Sequence, residues 1–79
     1  MTKTEDQAPF VVGAEAEFLK RGRRRLVLIP VGIVLAENLA DAHEKAANRF
    51  PHYLVWTEEW GRVSPTARLR ALKADRGEP

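Results

Sequence analysis

The dipeptide Arg21-Gly22 stands between two stretches that both read as strand, and that arrangement constrains the fold more than any other feature of the chain. Residues 10–18, FVVGAEAEF, alternate: Phe10, Val12, Ala14, Ala16 and Phe18 share one side, and Val11, Gly13, Glu15 and Glu17 the other. Period-two alternation of this kind marks a half-buried strand. Residues 26–36, LVLIPVGIVLA, are apolar on both sides, as a central strand is. If Arg21-Gly22 is a two-residue hairpin turn, Gly22 supplies the positive φ such turns need. Residues equidistant from the turn then pair, setting Ala16 beside Val27, Ala14 beside Ile29, Val12 beside Val31 and Phe10 beside Ile33. This register makes one continuous apolar face and brings Glu15 and Glu17 within diagonal reach of Arg23 and Arg25. Pro30 has no N–H to donate, so a bulge or bend is expected there, with a helix from residue 31 onward as the competing reading.

After the hairpin the pattern changes period. Asn38 is placed to cap a helix over 39–50, with Asp41 at the capping-box spacing and Pro51 as its stop. Leu39, Ala42, His43, Ala46, Ala47 and Phe50 recur at helical spacing, a stripe of mostly small residues suited to lying close on a sheet. YLVWT, 53–57, reads as a short third strand. Ser64 and Pro65 read as N-cap and first residue of a basic helix over 65–75, with Gly77 just past its end. The class is therefore α+β in the order ββαβα. A strand–helix–strand crossover is expected to bring the third strand parallel to the second, giving a three-stranded mixed sheet with the second strand in the middle. Residues 10–75 form one domain, with flexible ends at 1–9 and 76–79.

Length and composition limit how such a domain is stabilised. A chain of 79 residues buries only roughly 60–65% of the surface it exposes when unfolded. With no Cys it has neither disulfides nor a thiolate metal site, so packing, a partner or both must hold it, and a reducing cytoplasm suits it. The acid-bearing start MTKTEDQAPF does not read as a secretory signal. The apolar run 26–36 is far short of the ~20 residues a membrane helix needs, so no membrane role is expected.

No catalytic constellation assembles. Nucleophilic catalysis needs a base beside the nucleophile, and acid–base catalysis needs converging groups of different pKa. Ser64 is explained by capping. His43 and His52 share no metal-ligand spacing, Glu58 and Glu59 are adjacent and so point apart on a strand, and Gly22 and Gly32 belong to a turn and a bend rather than a phosphate loop. No enzyme, cofactor, metal or small-molecule substrate is expected.

What remains are surfaces. Net charge is only +2, but positive charge gathers at Lys20, Arg21, Arg23, Arg24 and Arg25, and again at Arg68, Arg70, Lys73 and Arg76. Leu26 and Leu28 lie on the side of their strand away from the first helix, where either the last helix, through Leu69 and Leu72, or another chain must cover them. Trp56 reads as core. Trp60, beside Gly61 and Arg62, reads either as a lid on the core or as a binding anchor, since Trp and Arg dominate interface hot spots. Two readings follow. The first is a non-enzymatic protein-interaction module (a regulator, inhibitor or assembly component) binding through Leu26, Leu28, Trp60, Arg62 and the arginine-rich hairpin, with self-association as a two-fold dimer its simplest form. The second is a small nucleic-acid-binding accessory protein using Arg21, Arg23, Arg24 and Arg25 with Arg68, Arg70 and Lys73.

Overall fold

The computed structural model describes residues 7–77. Among these, a three-stranded sheet is flanked by two helices, in the order β1 (Ala8–Lys20), β2 (Arg23–Ala36), α1 (Leu39–Arg49), β3 (Val55–Glu59), a 3₁₀ turn (Trp60–Arg62) and α2 (Pro65–Asp75). The α+β class and the ββαβα order are those the sequence implies. Of the ends expected to be flexible, Ala8 and Pro9 belong to β1, while residues 1–6, 78 and 79 lie outside the described residues.

The sheet itself corrects the expected topology. Its order is β2-β1-β3, so β1 rather than β2 is central, and both neighbouring pairs are antiparallel. β3 does run in the same direction as β2, as a crossover through α1 implies, but β1 lies between them and the sheet is not mixed. The physical reason lies in the backbone. β1 has no proline between Phe10 and Lys20 and offers β3 an unbroken row of donors and acceptors, whereas β2 is interrupted at Pro30.

The interruption also resets the register. From Lys20↔Arg23 through Ala16↔Val27 to Gly13↔Pro30 the pairs are equidistant from the turn, as expected; the register then shifts, and Val12 and Phe10 face Gly32 and Val34 rather than Val31 and Ile33. One extra residue on β2 reverses which side every later side chain occupies. Val34 and Ala36 therefore join Phe10 and Val12 in the core, with Ala42 and Ala46 of α1 and Val55 of β3, and with Val31 and Phe50 packed against them. The strand continues to Ala36, which rules out the helix considered from residue 31. Gly32 serves a second purpose, because a Cβ there would lie 3.1 Å from Phe50 Cζ.

Both helices begin as their sequences predict. The Asp41 N–H donates to Asn38 Oδ1 (2.8 Å) and the Ala67 N–H to Ser64 Oγ (3.2 Å). Gly77, at φ 76°, follows α2 in the left-handed conformation that closes helices. On α1 the buried stripe narrows to Ala42 and Ala46, leaving Leu39, His43 and Ala47 exposed. On α2 only Ala71 is fully buried, over the opposite side of the sheet, with Leu72 partly buried and Leu69 exposed.

The outer edge of β2 is closed along its second half. Asp75 Oδ1 accepts from the Ile33 N–H (3.3 Å), Arg49 Nη1 donates to Ile33 O (2.9 Å), and Lys45 Nζ donates to Leu35 O (2.8 Å). Side chains thus occupy backbone groups that another strand would use.

Candidate functional site: the hairpin arm

β3 pairs with β1 only over Phe10–Ala14, and a last hydrogen bond joins the Glu15 N–H to Leu54 O at 2.9 Å. Beyond that point β1 and β2 continue as a two-stranded arm. The chain extends over 54 × 23 × 23 Å with a radius of gyration of 13.6 Å, against about 11–12 Å for a compact domain of this length. The arm ends in the expected two-residue turn, but both of its residues take positive φ, Arg21 at 52° and Gly22 at 75°, the signature of a type I′ turn. An arginine there occupies backbone space that Asn or Gly fills more readily.

Strand alternation sorts the arm's side chains onto two sides. On the α1 side lie Ala16, Phe18 and Lys20 of β1, with Arg23, Arg25, Val27 and Ile29 of β2 opposite them. On the α2 side lie Glu15, Glu17 and Leu19, with Arg24, Leu26 and Leu28. The acids therefore do not reach Arg23 and Arg25 as expected; those arginines are on the other side. Glu17 instead lies 3.7 Å from Arg24 in a solvent-exposed pair, and Glu15 Oε2 accepts from Trp56 Nε1 at 3.4 Å. An exposed pair of that length contributes little stability.

Both sides of the arm leave large apolar side chains in water. Leu19 is 75% exposed, Leu26 67%, Leu28 56% and Phe18 52%. α2 covers Val11 and Gly13 near the middle of the sheet and borders Leu28, but it leaves both Leu26 and Leu28 more than half exposed and so does not close this surface. Trp56, expected in the core, is 53% exposed and borders a shallow pocket with Glu15, Leu26, Val27 and Leu28. Being on an edge strand, it has no further strand beside it.

The chain matches no protein-family model, no curated protein and no solved structure.

The remaining candidate residues separate into two locations. Trp60 and Arg62 are at the opposite end of the sheet, where Glu59 pairs with Phe10, roughly 20 Å along β1 from the arm's leucines. Trp60 is half-buried and held by Arg68, whose guanidinium lies 5.7 Å from the ring centroid and whose Nε and Nη2 donate to Trp60 O (2.9 Å) and Gly61 O (3.3 Å). Arg62 pairs with Glu59 at 3.2 Å. Arg68 is thus spent on positioning the 3₁₀ turn. Arg70 and Lys73 do approach the arm, lining a groove of about 570 Å³ with Phe18, Val27, Leu28, Ile29, Pro30 and Ala74. Phe18 was missed as a site residue, although the turn position alone pairs it with Arg25. Among the described residues no three metal-ligating side chains gather, and no helix is long and apolar enough to cross a membrane.

Proposed function

We propose that this protein is a non-enzymatic protein-interaction module of a reducing, cytoplasmic compartment, and that it works by having the α2 side of its arm covered by a partner. The observation that carries this reading is the contiguous exposure of Leu26, Leu28 and Trp56, with Leu19 further out, on a two-stranded extension. Isolated two-stranded hairpins are marginal in water, and contiguous apolar surface is the usual mark of a contact region. The arm gains stability only when another surface buries it. Bringing each half-exposed side chain to full burial contributes roughly 1 kcal/mol.

A second copy of the chain is the simplest such partner. The α2 side carries Glu15 and Glu17 as well as Arg24, so two copies related by a two-fold axis can set acid against base around a shared apolar centre. Trp60 and Arg62 are too far away to join the same contact. Ser64 Oγ is engaged as a helix cap, accepting from the Ala67 N–H.

Gel filtration of the purified protein, at low and at high salt, with the ratio of absorbance at nucleic-acid and protein wavelengths, tests this reading. An oligomer that persists in high salt, whether or not nucleic acid accompanies it at low salt, supports it. A monomer at both salts contradicts self-association, and an oligomer that falls to monomers as salt strips nucleic acid from it contradicts the protein-interaction reading.

A further inference from the structure

The other side of the arm has a different chemistry. Phe18 and Arg25 face each other across the strands, Lys20 and Arg23 form the next pair toward the tip, and Val27 and Ile29 continue the same side toward the body. Glu15 and Glu17 point away from this side. Among the described residues, Arg23, Arg25, Arg70 and Lys73 have no carboxylate within ion-pairing distance. A groove then carries the surface around β2 to α2, where Arg70 and Lys73, three residues apart and so on one helix face, stand beside Phe18, Val27 and Ile29. The result is a strip along β2 that is cationic toward the tip at Arg23 and Arg25 and apolar toward the body at Val27 and Ile29, with the exposed Phe18 ring beside it and a second pair of cations on α2. From Arg23 to Ile29 the strip runs about 20 Å.

We propose that this side of the arm, together with the groove between β2 and α2, forms a binding site for single-stranded nucleic acid. The cations would neutralise successive phosphates, and Phe18 would stack against an unpaired base, with Val27 and Ile29 packing beneath its neighbours. Such a pairing of charged track and aromatic platform is how single strands are held without sequence preference. A duplex presents its phosphates outward and its base faces stacked away, leaving the apolar strip without a partner, so the single strand is the better fit. The half of the site built from Phe18, Arg23 and Arg25 lies on the opposite side of the arm from the protein contact proposed above, whereas the groove toward Arg70 and Lys73 borders Leu28 of that contact.

The test is fluorescence anisotropy of a short labelled oligo-deoxythymidine, titrated with the protein between about 50 and 200 mM salt. Four phosphate contacts give a slope of log affinity against log salt near −3 on a single strand. The double substitutions R23Q/R25Q and R70Q/K73Q should each flatten that slope by about 1.4. Phe18→Ala should weaken binding roughly 5- to 150-fold and leave the slope unchanged, because it removes stacking and no charge. Arg62→Gln, at the far end of the sheet beside Glu59, should leave affinity within about twofold on the same scale, since its charge is remote from the site. Circular dichroism and a urea midpoint establish that each variant is folded. The proposal is overturned if wild type fails to bind the oligonucleotide at the lowest salt, if a duplex of the same length binds more tightly, if polyglutamate of equal charge competes as well as oligo-deoxythymidine, or if Arg62→Gln acts like R23Q/R25Q.

Discussion

Arg49 Nη2 and Asp75 Oδ1 meet at 2.8 Å over the outer edge of β2, joining the last turn of α1 to the last residue of α2. The two helices lie on opposite sides of the sheet, so this ion pair clasps them around its edge. It also does backbone work: Arg49 satisfies the carbonyl and Asp75 the N–H of Ile33. Either alanine substitution leaves one charge and one backbone group without its partner. Asp75→Ala and Arg49→Ala should each cost about 1 kcal/mol, since the pair is partly solvated, and the double substitution should cost less than the sum. Urea melts of the four proteins measure this. Strict additivity would show that the two side chains act separately.

The helix–sheet contact on the α1 side rests on very small residues. Ala46 is fully buried against Phe10, Val12 and Val34, whereas Ala47, one step round the helix, is exposed. Ala46→Leu should destabilise by about 1–3 kcal/mol through overpacking, and Ala47→Leu should be within about 0.5 kcal/mol of wild type. Asn38→Ala should cost about 1 kcal/mol through loss of its bond to the Asp41 N–H. Thermal melts decide all three, and equal shifts for the two leucine variants would contradict the orientation of α1.

Asp41 links the same helix to pH. Its carboxyl is held below the usual carboxylate range, chiefly because its Oδ2 accepts from the Glu37 N–H at 3.1 Å, with Lys45 at 3.3 Å adding to the effect. A folded-state pKa below the unfolded value means that Asp41 contributes stability above the unfolded pKa, and that this contribution disappears as pH falls through the folded one. Wild type should therefore lose part of its stability across the acidic carboxylate range, and Asp41→Asn should lose less over that interval while starting lower at neutral pH. Melting temperatures against pH for the two proteins check the sign.

Most of the local structure was legible in the sequence because each signal has a single local cause. The Arg21-Gly22 turn set the hairpin register down to Gly13, Asn38 and Ser64 placed the helix starts, and Pro30 announced the irregularity in β2. What followed from Pro30 was not legible, since the extra residue reverses the sides of Ile33, Val34 and Leu35 and only the core contacts reveal which residue is extra. The strand order was misread for a related reason: the crossover rule gives the direction of β3 but not which edge accepts it. With β3 on the far edge of β1, Trp56 moved from core to surface and the arm was left without a third strand. The cationic cluster was visible from the start, but its separation from Glu15 and Glu17 emerges only when alternation and register are taken together.

If the apolar α2 side of the arm is a surface built to be buried, sedimentation velocity at tens of micromolar will detect the burial. Wild type should sediment as a dimer whose population rises with concentration, and Leu26→Lys with Leu28→Lys should give a folded monomer, because two charges would have to be buried where two leucines were. A wild-type protein that is well folded and monomeric throughout that range, with the double substitution sedimenting identically, would show that this surface is not a site of self-association.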